Sequence, residues 1–295
     1  MGNYILSCGS TADLSRQHFE RRGISYICYP YELDGKPYKD DLGQTVPYDH
    51  FYAAMTAGAE TKTAHINAYE FEEYFEPFLK NGNDVLHLCL SSGITSVMTS
   101  ARIAKENLEE KYPGHRIYLV DSLAASSGCG LLMDTLADLR DSGMDIDALH
   151  EWGEENKLKV HHWFFSTDLS FYIKGGRISK AAATVGQMLG ICPLLNINTE
   201  GKLILKGKIR SKKRVIHTLV DKMEAYADDG LNYNGKCYIS HSGCFEDARQ
   251  VADLVETRFS NLNGPVEIND IGTTIGSHTG PGTVALFFWG KPRSV

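Results

Sequence analysis

No apolar run in these 295 residues approaches the roughly 20 needed to cross a bilayer as a helix, so a helical membrane span is excluded. Positive charge is scarce. Thirty Lys and Arg stand against 37 Asp and Glu, a formal net charge of −7, which argues against a nucleic acid or an anionic membrane held by overall charge. Only residues 206–214 are locally basic. The opening Met1-Gly2-Asn3-Tyr4-Ile5-Leu6 lacks the basic start of a signal peptide, and Leu6 breaks the myristoylation pattern. A cytoplasmic location is expected. The seven cysteines are odd in number and include no Cys-x-x-Cys pair, so no zinc ribbon, thioredoxin-like site or disulfide framework is signalled. Most of them (Cys8, Cys28, Cys89, Cys237) lie in apolar runs and are expected to behave as small buried hydrophobes.

Catalytic signatures are missing too. There is no phosphate-binding Gly-x-x-x-x-Gly-Lys-Ser/Thr and no Gly-x-Ser-x-Gly elbow. His161 and His162 are adjacent in a strand-like run and so point to opposite faces, which prevents them from chelating one metal. Asp228-Asp229 and Glu109-Glu110 read as solvated helix ends rather than a paired acid and base. No cofactor and no metal are expected.

What is present is alternation. Strand-like runs at residues 4–8, 24–28, 85–90 and 116–120 are separated by helical patterns. Phe71, Tyr74, Phe75 and Phe78 recur at helical spacing behind Asn67, with Glu70 completing a capping box. Pro77 predicts a kink or an early end to that helix. Val97, Ala101, Ala104 and Leu108 form the face of a second helix. This βαβ grammar implies an α/β domain with a mostly parallel sheet flanked by helices, assigned to residues 1–155. From about residue 156 to 295 the pattern changes. Strands are expected at 163–165, 194–197, 203–206, 236–240, 266–271 and 283–289, with Asn198-Thr199-Glu200-Gly201 as a turn. Helices are expected over 180–189, from Lys212, and with Ala248, Val251, Val255 and Phe259 on one face. The second domain is thus α/β with a mixed sheet, and no linker rich in Pro or Ser separates the halves.

Four segments could carry chemistry. Residues 90–96, Leu-Ser-Ser-Gly-Ile-Thr-Ser, follow a strand and open a helix, where ligands of open α/β sheets sit and free N–H groups favour anions. Plain capping by Ser and Thr explains them equally well. Thr61-Lys62-Thr63-Ala64-His65 is a second hydroxyl-rich turn. Gly175-Gly176-Arg177 presents a cation from a bent backbone, or is simply a turn. Gly276-Ser277-His278-Thr279-Gly280-Pro281-Gly282 packs glycines around one histidine, which lets backbone approach a ligand closely.

Together these segments resemble the DegV family of bacterial fatty-acid-binding proteins, from about Tyr4 to Trp289. Ser10-Thr11-Ala12-Asp13-Leu14 is similar to the end of the family's Thr-Asp-Ser-Thr-Ala-Asp-Leu, with Gly9 in place of the aspartate. Lys62-Thr63-Ala64-His65 resembles Lys-Thr-Ser-Gln, and Ser91-Ser92-Gly93-Ile94-Thr95 resembles Ser-Ser-x-Leu-Ser, with Thr95 at the serine. Asp121-Ser122, Lys174-Gly175-Gly176-Arg177-Ile178-Ser179 and His278-Thr279-Gly280-Pro281-Gly282 match the family pattern, and Arg210 falls on its arginine after the second-domain hairpin. The resemblance implies two α/β domains enclosing one long-chain fatty acid, such as palmitate, in a tunnel at their interface. It implies that Thr63 and Thr95 bind the carboxylate, and that Arg177, Arg210 and His278 lie toward the mouth, where a phosphoryl group would be stabilised. Some members present the carboxylate to a fatty-acid kinase related to dihydroxyacetone kinases, so such a partner is implied. The expected role is therefore that of a lipid carrier in fatty-acid transport or metabolism and not an enzyme. The competing reading is a small-molecule phosphotransferase or acyl hydrolase using the same cleft.

Overall fold

A computed structural model describes residues 4–179 and 190–294; the helix expected over 180–189 lies outside the described residues. The chain opens with β1 (Tyr4–Gly9), α1 (Arg16–Arg22), β2 (Ile24–Ile27), a hairpin of β3 (Pro30–Leu33) and β4 (Lys36–Lys39), α2 (Tyr48–Thr56) and β5 (Thr61–Thr63). It continues through α3 (Ala68–Lys80), β6 (Asp84–Cys89), α4 (Val97–Lys111), β7 (Ile117–Asp121), α5 (Ser127–Asp141) and α6 (Ile146–Asn156). The second half runs β8 (Val160–Ser166), α7 (Ser170–Lys174), β9 (Ile191–Ile197), β10 (Leu203–Arg210), α8 (Lys212–Tyr226), β11 (Tyr238–His241), α9 (Phe245–Arg258), β12 (Glu267–Asp270), α10 (Thr273–Thr279) and β13 (Thr283–Trp289).

β2-β1-β6-β7 form a sheet in which every pair is parallel. All of β6 after Asp84 is buried, as a strand covered on both faces requires. The second sheet has the order β10-β9-β8-β13-β11-β12, with only β11 and β12 parallel. Two α/β domains, one with a parallel sheet and one with a mixed sheet, are what the alternation predicted. α5 is buried along most of its length and contacts β8, β11 and β13. One apolar core accordingly joins Leu6 and Leu86 of the first sheet to Phe164, Leu195 and Phe287 of the second.

Pro77 neither breaks nor shortens α3, which continues to Lys80. The missing N–H removes one hydrogen bond near the end of the helix, and burial of Phe71, Phe75 and Leu79 on its inner face outweighs that loss. A small antiparallel sheet, β4-β3-β5, was not anticipated. It places Thr61–Thr63 in a strand, where the sequence suggested a turn. All seven cysteines are free, with Cys28 and Cys244 only half-buried.

Candidate functional site

A cavity of about 720 Å³ lies between the two halves. Leu90, Ile94, Phe164, Ile197, Leu203 and Phe287 supply apolar lining. Toward the end where Lys62, His65 and Lys174 are exposed, the lining turns polar with Thr63, Thr95, Arg177 and His278.

Two of those residues come together across 215 positions of chain: Thr63 Oγ1 lies 2.7 Å from His278 Nε2. On the other side of the ring, Arg177 Nη1 lies 3.2 Å from His278 Nδ1 and 2.5 Å from the Gly175 carbonyl. A guanidinium can only donate, so Nδ1 accepts and the imidazole proton sits on Nε2. Nε2–H then donates to Thr63 Oγ1, and the threonine proton is left to point at a ligand. Burial, assisted by the nearby Arg177 charge, holds His278 neutral by pushing its pKa down to about 4. The chain Arg177→His278→Thr63 thus delivers one aligned hydroxyl donor to the cavity.

The glycines next to Arg177 now have a reason. A Cβ at Gly175 would fall 2.4 Å from His278 Nδ1, so only glycine lets the imidazole dock there. Gly176 takes φ +73°, the left-handed region that glycine enters without a steric penalty. Thr95 lines the same cavity from the loop before α4. Its Oγ1 accepts from Val97 N–H at 3.3 Å, so it both caps the helix and retains its own proton for a ligand. Ser91 is committed elsewhere: its hydroxyl donates to the Gly201 carbonyl at 2.9 Å. Asp121 holds the loop, accepting from the N–H groups of Ser92 and Leu123.

The sequence separated a threonine anchor from a basic mouth; the structure brings Thr63, His278 and Arg177 into one hydrogen-bonded chain. Arg210 is not part of it. It ends β10, is exposed, and does not line the cavity. Tyr29, whose ring occupies the space beside Gly9, was missed. A Cβ at Gly9 would fall 2.5 Å from that ring, so glycine at this position leaves room for an aromatic wall of the cavity. Among the described residues, no group of three or more His, Cys, Asp or Glu could hold a metal ion, and no helix is long and apolar enough to cross a membrane. His161 and His162 do face opposite sides of β8: His161 packs against Tyr226 and Phe288, His162 against Phe287.

A family model described as an uncharacterised protein, DegV family, matches residues 8–291. The chain belongs to the DegV family. A DegV domain-containing protein of Clostridium perfringens is 35% identical over 294 residues, covering 99% of each chain. Among solved structures, a DegV protein of Thermus thermophilus described by its fatty-acid binding superposes with a TM-score of 0.85 at 24% identity, over 98% of this chain and 99% of that one. The fatty acid kinase B3 protein of Streptococcus pneumoniae, loaded with linoleic acid, superposes with a TM-score of 0.83 at 19% identity, over 98% and 99% of the two chains. At these identities the superpositions establish the DegV fold of this chain.

Proposed function

We propose that this DegV protein binds one long-chain fatty acid in the interdomain cavity and acts as its carrier. The carboxylate takes hydrogen bonds from Thr63 and Thr95, and the acyl chain runs as in a tunnel between the halves, which divide near residues 155 and 156. The observation that carries this reading is the aligned donor at Thr63, set by His278 and Arg177, at the polar end of an apolar cavity. Each buried methylene contributes roughly 0.8 kcal/mol, on the order of 10 kcal/mol for a long chain before association costs. A carboxylate entering with that chain must be hydrogen-bonded, and neutral hydroxyl donors meet the need without a second buried charge.

The same geometry argues against an acyl hydrolase. A threonine nucleophile needs a bare Nε2 to take its proton, whereas the Arg177 contact puts a proton on that nitrogen. A phosphotransferase in the same cleft finds no phosphate-binding loop. The likeness to a fatty acid kinase B3 protein supports the view that a kinase related to dihydroxyacetone kinases meets the carboxylate beside Arg177 and His278, with exposed Arg210 turned toward that partner. Denaturing the purified protein and identifying extracted lipid by mass spectrometry tests the first claim, with about one fatty acid per chain expected. Absence of any acyl species, together with no thermal shift on adding fatty acids, would overturn it.

A further inference from the structure

In sequence α10 belongs to the second half, but the first half holds it. It packs against α2, β3 and β5 as well as against α7. The Gly272 N–H donates to Asp13 Oδ1 at 2.9 Å, and the Thr274 N–H donates to Asp40 Oδ2 at 3.0 Å. Just before the helix, the Tyr52 hydroxyl donates to the Ile271 carbonyl at 2.6 Å. A Cβ at Gly272 would fall 2.9 Å from Asp13 Oδ1 and 3.1 Å from Asp40 Oδ2, so glycine is what admits both carboxyls. A Cβ at Gly276 would fall 2.5 Å from the Tyr52 hydroxyl, so a second glycine lets the helix press on α2. Thr274 and His278 are four residues apart and therefore share a face, and both line the cavity. The first half thus grips the start of α10, and the end of α10 returns His278 to Thr63 of β5 at 2.7 Å.

Asp13 and Asp40 are buried, and neither meets a Lys, Arg or His in an ion pair among the described residues. Burial pushes both carboxyls up from the ordinary range, and hydrogen bonds pull them back. Asp13 takes such bonds from the Ser126 hydroxyl and the Gly272 N–H. Asp40 depends on α10 more. Among the described residues its carboxyl takes one hydrogen bond, from the Thr274 N–H, with the Thr273 and Thr274 hydroxyls alongside. A buried carboxyl without a cation is costly unless hydrogen bonds meet it, and the N–H groups and dipole at the start of a helix favour that charge. Withdrawing α10 would leave Asp40 unmet, so the helix is locked against the first half. Neither carboxyl lines the cavity, so neither touches a ligand there. Resting on the fatty-acid reading above, we infer that Asp40, with Asp13, is a positioning residue of the carboxylate anchor: by fixing α10 it sets the reach of His278 to Thr63 and so the direction of the threonine donor.

The test is competitive titration of hexadecanoate and its methyl ester against the delipidated full-length protein and its variants. Asp40→Ala is expected to weaken acid binding about tenfold, the equivalent of one hydrogen bond, and to leave the ester unchanged. In a Thr63→Val background Asp40→Ala should add no further loss, because it acts through that hydroxyl. Asp40→Asn, which keeps an acceptor for the Thr274 N–H, should restore most of the acid affinity. Imidazole NMR of ligand-free Asp40→Ala should show the Nε2 proton of His278 released from its hydrogen bond to Thr63. Gly272→Ala keeps both carboxyls but presses a methyl group against them, and should give the same pattern in weaker form even if Asp40→Ala does not fold. Unchanged acid affinity in the folded variants, equal losses for acid and ester, or a loss additive with Thr63→Val would overturn this inference while leaving the fatty-acid reading intact. Failure of the wild-type protein to bind any fatty acid would overturn that reading and this inference with it.

Discussion

At the scale of single residues, the tautomer of His278 decides what the site can do. Imidazole NMR should show a neutral ring protonated at Nε2 down to about pH 4, where burial places its pKa; a ring charged at pH 6 would break the donor chain. Thr63→Val keeps the β-branch and removes the hydroxyl. A hydrogen bond to a charged group is worth about 1.5–3 kcal/mol, so fatty-acid affinity should fall about ten- to a hundredfold. Thr95→Val should do the same, and the double variant should cost less than the sum because both hydroxyls serve one carboxylate. A fatty-acid methyl ester, lacking the charge, should bind all forms nearly alike in a competition assay. Equal acid affinity in the folded double variant would reduce both threonines to structural caps. The two threonines were legible as hydroxyls in promising turns. Their link to Arg177 was not, because Thr63 and His278 are 215 residues apart and nothing local ties a histidine in a glycine-rich turn to a distant strand.

At the scale of elements, legibility followed periodicity. α4 declared itself because Val97, Ala101, Ala104 and Leu108 are all buried on one face. α3 did so through its capping box, in which Asn67 and Glu70 exchange bonds of 3.0 and 2.8 Å. Asn67→Ala should therefore cost about 1 kcal/mol, readable as a lower midpoint in urea. α5 was missed for a physical reason: it is packed on both sides, so Ser127, Gly128, Cys129 and Gly130 are buried along with Leu131 and Leu132, and no polar stripe marks it. β3 and β4 were missed as short strands, although the signal was there. Asp34 and Gly35 have φ of +50° and +74°, the backbone that an Asp-Gly hairpin turn supplies. The hairpin between β9 and β10 has a further duty, pressing its turn onto the loop that carries Thr95. Gly201 sits at φ +72°, and a Cβ there would meet Ser91 Oγ at 2.0 Å and Leu123 at 3.2 Å. Gly201→Ala should lift the turn from the loop, destabilising the fold by roughly 1–3 kcal/mol and speeding release of bound lipid. Unchanged stability and retention would show that the turn does not brace the site.

For the whole molecule, what matters is how two sheets are held together around a hollow. Across α5 the halves also meet through charge. His18 of α1 lies 2.9 Å from Asp134 of α5 and 2.9 Å from Glu267 of β12. Asp134 also takes Lys236 at 2.5 Å and the Tyr238 hydroxyl at 2.9 Å, both from the second half. Burial alone would discharge His18, but the two carboxylates outweigh it and raise its pKa to about 9, even with the Arg21 guanidinium 3.2 Å away. The sign follows. Unfolded histidine titrates near 6.5, so the folded state holds a proton that the unfolded chain loses between about 6.5 and 9. Stability from this contact is complete below pH 6.5 and declines as pH rises through 9. The histidines with lowered pKa, His87, His161, His162, His241 and His278, act only on the acid side of 6.5, whereas the seven thiols, whose pKa burial raises, increasingly favour unfolding as pH approaches 8.5 and together outweigh one histidine there. Between pH 6.5 and 7.5 His18 should dominate. At about 1.36 kcal/mol per unit, unfolding free energy measured in urea should drop by roughly 1 kcal/mol across that interval. His18→Gln should lower stability at pH 6.5 and flatten the profile across that window, because glutamine can bridge the carboxylates but cannot carry the charge. If variant and wild type lose stability in parallel, the charge at His18 is not what fastens the two halves.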